Sequence, residues 1–200
     1  MKKIILSLSL LLTLFACDVA KNVVGNAYNL FQCEYEYKSI SGLTLNGVNL
    51  QDVNSITSLN PLSAASLLAA VSGGNSPLPL NFTLNLNVKN SSAERAALSG
   101  LQYVLLIDDV QMTEGFMTQA LSVSPGGTST FPIQVSFDLR EVLSGKSADA
   151  VKNMAFNFVG LGDTASRVTV KLRPSMMIGE QNIISPVQIP ISFTYGKGHK

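Results

Sequence analysis

The chain has 200 residues, with 14 Lys+Arg against 13 Asp+Glu and a formal net charge of +1. That balance supplies no basic face for nucleic acid. A charged fraction of 14% beside a hydrophobic fraction of 46% describes a globular chain and excludes an intrinsically disordered one.

The chain opens on a leader. Lys2 and Lys3 precede an apolar and hydroxyl run from Ile4 to Phe15, the charged and hydrophobic regions of a secretory signal. The run is shorter than the roughly 20 residues a membrane-spanning helix needs. It closes on Leu14-Phe15-Ala16-Cys17, an order that resembles the bacterial lipobox. There a cysteine thiol takes a diacylglycerol, the leader is cut away, and the new amino group is acylated. Residues 1–16 are therefore the expected signal peptide and Cys17 the expected lipidation site. Removing them leaves 184 of the 200 residues, enough for one domain. It also takes two of the 14 basic residues, so 12 face 13 acidic ones, a net charge near −1. One acyl chain, at about 0.8 kcal/mol per buried CH₂, holds a membrane only marginally, whereas two or three hold firmly. Asp18 resembles the inner-membrane retention signal of one bacterial sorting system, a rule other bacteria do not follow. The expected address is a bacterial cell envelope, lipid-anchored with the domain outside the cytoplasm; the outer membrane is favoured and the inner membrane is the alternative.

Residues 17–32 read as a lipidated tether or short helix, with Val19, Val23, Val24 and Phe31 at helix-like spacing broken by Gly25. From Cys33 the period falls to two. Tyr35, Tyr37 and Ser39 face one way and Glu34, Glu36 and Lys38 the other, and after a bend at Gly42 or Gly47 the alternation runs through Leu43, Leu45, Val48 and Leu50. Residues 57–79 read as a helical insertion: Asn60 caps, Pro61 takes the first helical position, SAASLLAAV follows, and Gly73-Gly74 ends the run. The clearest strand is LPLNFTLNLNVKN, with Leu80, Phe82, Leu84, Leu86 and Val88 against Asn81, Thr83, Asn85, Asn87 and Lys89. Two extended runs then flank Asp108-Asp109, a hairpin turn, and Ser124-Pro125-Gly126-Gly127 is a second turn. TSTFPIQVSFDL alternates through Phe131, Ile133, Val135 and Phe137, and Pro132 places it at an edge or outer rim. Leu139–Leu143 and Ser147–Val159 read as helices, the second through Val151, Met154, Ala155 and Phe158. RVTVKLR and VQIPISFTYG close the chain, the latter with Val187, Ile189, Ile191, Phe193 and Tyr195 on one face. The sum is a mainly β fold over residues 33–200, an antiparallel β-sandwich of about seven strands of the fibronectin/immunoglobulin kind with one or two short helices.

The chemistry is sparse. His199, the sole histidine, sits in a terminal tail unsuited to a triad. With Cys17 committed to lipid, Cys33 is the remaining thiol; it forms no intrachain disulfide or paired-cysteine zinc site and reads as a small buried filler. Asp108, Asp109 and Glu114 could offer oxygen ligands to calcium, but the two aspartates read first as turn formers. Asp138 and Glu141 could make an acid/base pair, though favourable charge at a helix start accounts for them, and Asp163 reads as a solvated loop residue. Met112, Met117, Met154, Met176 and Met177 read as core before they read as an adaptable surface. No residue set qualifies as catalytic, and no cofactor or metal is expected. The row Asn81, Asn85, Asn87 with Thr83 and Lys89 is the unusual surface: solvated strand face is the plain reading, engagement of a sugar or another polar partner the sharper one.

The order of local phrases resembles the water-stress and hypersensitive-response domain, the late embryogenesis abundant type 2 family. The matching phrases are GLTLNGVNLQDVN (42–54), LNFTLNLNVKNSS (80–92), the hairpin segment 97–139, and RVTVKLR with VQIPISFTY. Asn90 and Gly115 match in position, Ser91 stands where that family has proline, and 57–79 is an addition. The resemblance implies a fibronectin-like sandwich, no enzymatic activity, and protection of membranes or proteins under water stress. The expected function is thus a non-enzymatic, lipid-anchored envelope protein in a binding or protective role; a structural or adhesion subunit of an envelope assembly is the alternative. Its expected partners are the membrane, through the lipid, and an envelope protein or polar, glycan-like ligand. Cys17→Ala is expected to abolish metabolic labelling of the protein by a palmitate analogue, whereas Cys33→Ala is expected to leave labelling intact.

Overall fold

Residues 79–89 alternate apolar and polar side chains without a break, and this period of two makes the strand around which the first sheet forms. The computed structural model describes residues 29–30, 32–53, 55–72, 76–145, 148–178 and 181–197. The leader, Cys17, most of segment 17–32, Gly73, Gly74 and His199 lie outside them. In β3 (Pro79–Lys89), Leu80, Phe82, Leu84, Leu86 and Val88 are buried and the intervening Asn and Thr residues are half-buried on the other face. Each buried Leu, Val or Phe contributes about 1.5–3 kcal/mol relative to exposure. β3 pairs antiparallel with β1 (Glu34–Leu45) on one side and β8 (Thr128–Asp138) on the other, and β2 (Val48–Asn49) folds back on β1.

β1 departs from simple alternation. Its register slips between Tyr37 and Ser39 and between Ser41 and Thr44, each slip an inserted residue that bends the strand. Tyr37 therefore pairs with inward-facing Leu86 but Ser39 with outward-facing Asn85, so Ser39 leaves the face it shares with the tyrosines in a strict period of two. Gly42, at the second slip, has φ +64, and Asn46-Gly47 close a two-residue hairpin with φ +49 and +75. Both backbone turns need the left-handed region that glycine and asparagine enter most cheaply.

The second sheet holds β5 (Gly100–Ile107), β6 (Val110–Met117), β9 (Ala165–Ile178) and β11 (Ile189–Gly196) in the order β6-β5-β9-β11, with β10 (Gln181–Ile184) beside the end of β9. Asp108 and Asp109 both have positive φ and turn β5 into β6. Asp108 also accepts from the Arg167 amide at 2.8 Å, and Asp109 pairs with the Arg167 guanidinium. β4 (Ala96–Leu98) and β7 (Leu121–Val123) form a separate ribbon at one end. Among the described residues seven strands reach eight residues or more, three in one sheet and four in the other; this is the expected antiparallel sandwich. Val187 falls outside the final strand and is exposed, unlike Ile191 and Tyr195, because the chain turns at Ser185, whose hydroxyl accepts from the Val187 amide.

The helices sit at the other end. Asn60 caps α1 (Pro61–Ser72) by accepting from the Ser63 amide at 2.8 Å, as its position before Pro61 requires. α2 (Leu139–Val142) starts on Asp138, whose Oδ1 accepts from the amides of Leu78, Arg140 and Glu141. Arg140 in turn donates to the carbonyls of Ser76 and Ala70, fastening the end of α1 to the sandwich. α3 (Ala148–Val159) buries Ala155, Phe158 and Val159 and ends at Gly160, φ +79.

Phe158 plugs the space between the sheets, its ring 5.3 Å from Phe82 and 5.4 Å from Tyr195. Tyr37 stacks on Phe193 at 4.0 Å and meets Tyr195 edge-on at 6.5 Å. Burial, with Tyr37 beside it, pushes the Tyr195 phenol up to about 12. An unfolded tyrosine ionises near pH 10. Between those values the unfolded chain has lost a proton the folded chain keeps, so stability is full below about pH 10 and falls as pH rises toward 12. At about 1.4 kcal/mol per unit, the expected loss is roughly 2–3 kcal/mol. Urea unfolding followed from about pH 9 to about pH 12 is expected to show this decline, and Tyr195→Phe to make it shallower, the remainder coming from Tyr35, Tyr37 and Tyr103, whose phenols burial also pushes up.

Candidate functional site

Two long stretches carry no charge at all. No Asp, Glu, Lys, Arg or His lies between Asp52 and Lys89, or between Glu114 and Asp138. The topology brings both stretches together, since β3 and β8 pair along their whole length. The outer face of the first sheet is consequently rich in amides and hydroxyls; its charges, Glu34, Glu36, Lys38 and Lys89, lie toward the end where Lys89 pairs with Glu34 at 3.1 Å and Lys38 donates to Thr130 at 2.8 Å.

On this face the asparagine row is largely committed to its neighbours. Asn85 donates to the hydroxyls of Ser39 and Ser41 at 3.2 and 3.0 Å. Asn81 donates to Thr44 at 3.4 Å and accepts from Ser136 at 2.6 Å, and Asn87 accepts from Thr130 at 3.1 Å. These bonds cross three strands, and cross-strand side-chain pairs of this sort stabilise a sheet by tenths of a kcal/mol to about 1 kcal/mol each. The slip at Tyr37 and Ser39 makes the Asn85 bonds possible by turning Ser39 outward.

Groups without such partners lie one strand further on. β8 pairs only with β3 and β6 only with β5 among the described residues, so two strand edges face each other across the open side of the sandwich. Tyr103 bridges them: from β5 it donates its hydroxyl to the Gln134 carbonyl on β8 at 3.0 Å. Burial pushes its phenol above the ordinary tyrosine value. Its ring lies over Gly115, where an added Cβ would stand 2.6 Å from the ring; glycine at this position is a demand of space. On either side of the bridge is a cavity. One, of about 500 Å³, is lined by Asn81, Thr83, Glu114, Gln134 and Ser136 among others. The second, of about 350 Å³, lies between Phe116, Met117, Gln119, Pro132 and Gln134. The Gln134 amide, the Glu114 carboxylate and the Gln119 amide hold no partner among the described residues. Phe116 is 42% exposed.

The other candidates resolve differently. Glu114 pairs across the hairpin with Val104, well along the strands from Asp108 and Asp109, so the three carboxylates do not converge as a calcium site. Among the described residues no three His, Cys, Asp or Glu side chains group as metal ligands. Asp138 is spent as a cap. Asp163 is exposed, with Lys197 at 3.7 Å. Cys33 is buried, its thiol 3.4 Å from the Asn29 carbonyl, and burial pushes its pKa up; the geometry is that of a core filler. Met112 is buried, and Met117 and Met154 pack against the core. No described helix is long and apolar enough to cross a membrane, and Cys17 is outside the described residues.

No family model matches the chain, and no curated protein matches it. Solved structures with a similar chain path include the following three. A crystal structure of a protein from Archaeoglobus fulgidus is 14% identical, covers 80% of this chain and 97% of its own, and has a TM-score of 0.37. A solution structure from Arabidopsis thaliana is 7% identical over 59% of this chain and 72% of its own, with a TM-score of 0.38. A third, a protein provisionally named late embryogenesis abundant (LEA), is 10% identical over 91% and 86%, also with a TM-score of 0.38. At these values the sandwich assignment rests on this chain's own strand pairing.

Sequence reasoning missed Tyr103, Phe116 and Gln134. The hairpin register held part of the signal: counting back from Asp108-Asp109 places Tyr103 opposite position 114. An inserted residue between Gln111 and Thr113 shifts the partner to Gly115, and that slip does not show in the alternation.

Proposed function

We propose that this chain is a non-enzymatic, lipid-anchored protein of a bacterial envelope that binds through the largely uncharged region where β8 meets the edge of β6 and protects membranes or proteins when water is withdrawn. The observation that supports this most is the neutral lining where β8 meets the edge of β6, in which the Gln134 and Gln119 amides hold no partner among the described residues. Such a lining substitutes for water as donor and acceptor without the ionic attraction that salt screens. The LFAC ending supports the anchor, and the phrases shared with the water-stress domain support the protective setting.

The position of the chain start fits a tether. Asn29 hydrogen-bonds Glu94 and the Arg95 carbonyl at the loop end of the sandwich. From Cys17 to Asn29 the chain spans at most about 40 Å when extended, so the domain stays within about one strand length of the bilayer.

The alternative, an envelope subunit joined through strand pairing, is opposed at the edge of β8. Pro132 has no N–H to offer there and Tyr103 already occupies the Gln134 carbonyl.

The test uses the mature lipid-bearing chain in nanodiscs, mixed with a freeze-labile enzyme through freeze–thaw and drying. Recovery of enzyme activity well above that with an equal mass of albumin in nanodiscs is expected. Recovery equal to albumin contradicts the protective role.

A further inference from the structure

We infer that the groove between the edges of β6 and β8 is a binding site for a neutral oligosaccharide, with Phe116 as the stacking platform and Gln134 and Glu114 as the hydrogen-bonding groups. This deepens the binding half of the proposed function and does not depend on the protective half.

Charge selects the ligand class first. The groove sits where the two uncharged stretches meet β6, and Glu114 is the one ionisable side chain lining it besides the buried, protonated Tyr103. A polyanion finds no counter-charge here, and a polycation finds only the single carboxylate of Glu114. Hydrogen bonding selects next. An amide presents donors and an acceptor side by side, and a hydroxyl presents both on one atom. A lining of amides and hydroxyls matches a ligand whose own groups both donate and accept, as the hydroxyls of a sugar do. The free Gln134 amide faces both cavities, so one side chain reaches ligand on each side of the Tyr103 bridge.

Shape and apolar surface point the same way. Cavities of about 500 and 350 Å³ fall in the range that holds small ligands, and their succession along one groove suits a chain of rings. Phe116, 42% exposed on a strand otherwise lined with polar groups at its rim, offers a flat apolar face to the C–H side of a sugar ring. Pro132 and Met117 extend that apolar floor.

An extended peptide is the competing occupant of a groove between two strand edges. An antiparallel strand residue turns its N–H and C=O to the same neighbour. Since the Gln134 carbonyl faces the groove, Pro132 two residues earlier faces it as well. Of these two successive edge positions, one lacks its donor and the other has its acceptor filled by Tyr103. The edge is closed to main-chain pairing while its side chains remain free.

The test is isothermal titration of the mature lipid-bearing chain in detergent with maltohexaose, cellohexaose and chitohexaose. Binding of at least one hexasaccharide is expected, with affinity lowered at least tenfold in Phe116→Ala and in Gln134→Ala. Lys197→Ala, beyond the end of β11 beside Asp163 and outside the groove lining, is expected to bind as the parent does. Should either groove variant fail to fold, amide shifts in the parent must map the sugar to Phe116–Gln119 and Pro132–Ser136. No binding by any of the three, shifts elsewhere, or an affinity equal to the parent's in both groove variants overturns the inference. Displacement of the sugar by an alternating strand-forming hexapeptide at similar concentration also overturns it in favour of a peptide site. Absence of sugar binding by the parent with freeze–thaw protection present removes this inference alone, whereas absence of both removes the wider reading.

Discussion

One buried amide holds together two of the crossings between the sheets. Asn90, 1% exposed, donates to the carbonyls of Glu94, Val123 and Ser124 at 2.7, 3.2 and 3.4 Å and accepts from the Ser92 amide and hydroxyl at 3.1 and 2.7 Å. Its own amide donates to the Gly127 carbonyl at 2.9 Å. Residues 90–99 carry the chain from the first sheet to the second, and residues 118–127 carry it back. Asn90 thus ties the outgoing crossing to the returning one, and the β4–β7 ribbon continues the joint. A buried amide is tolerated only when its donors and acceptor are met, and here they are.

The consequences extend to the proposed site. β8 begins at Thr128, directly after Gly127, and β6 ends at Met117, just before the returning crossing. The position of both groove walls at this end is therefore set by the joint at Asn90. Midway, Tyr103 spaces the walls through the Gln134 carbonyl, with Gly115 leaving room for its ring. The opposite side of the sandwich is shut by the Tyr37–Phe193 stack. One side is sealed by aromatic packing and the other is bridged once and left open, which makes the groove a property of the fold.

Much of the fold was legible from local rules. Alternation in 79–89, the Asn60-Pro61 start of α1 and the Asp108-Asp109 turn each follow from one residue's conformational preference or one face's burial, and the structure has them where the sequence places them. The bulges in β1 and β6 were not legible. A bulge exchanges one lost pairing for a better fit between sheets, and that fit involves residues more than 40 positions away, as when Ser39 turns out to meet Asn85. The groove was hidden for the same reason, because Tyr103, Phe116 and Gln134 belong to three strands. The polar character of the region was visible in the asparagine row, but those amides are occupied within the sheet and the free ones lie on the adjoining edges. Asn90 itself was marked by resemblance alone; nothing in its local spacing distinguishes a hub from an exposed loop residue.

Asn90→Asp tests the central claim most directly, because it keeps the shape and the acceptor and sets a carboxylate oxygen against the three carbonyls that the amide now donates to. Urea unfolding at neutral pH, with hydrogen exchange of the backbone amides, is the measurement. The account predicts destabilisation of at least about 2 kcal/mol, with faster exchange concentrated in residues 90–98 and 121–127. An unfolding midpoint equal to the parent's, or exchange raised uniformly across both sheets, would contradict it.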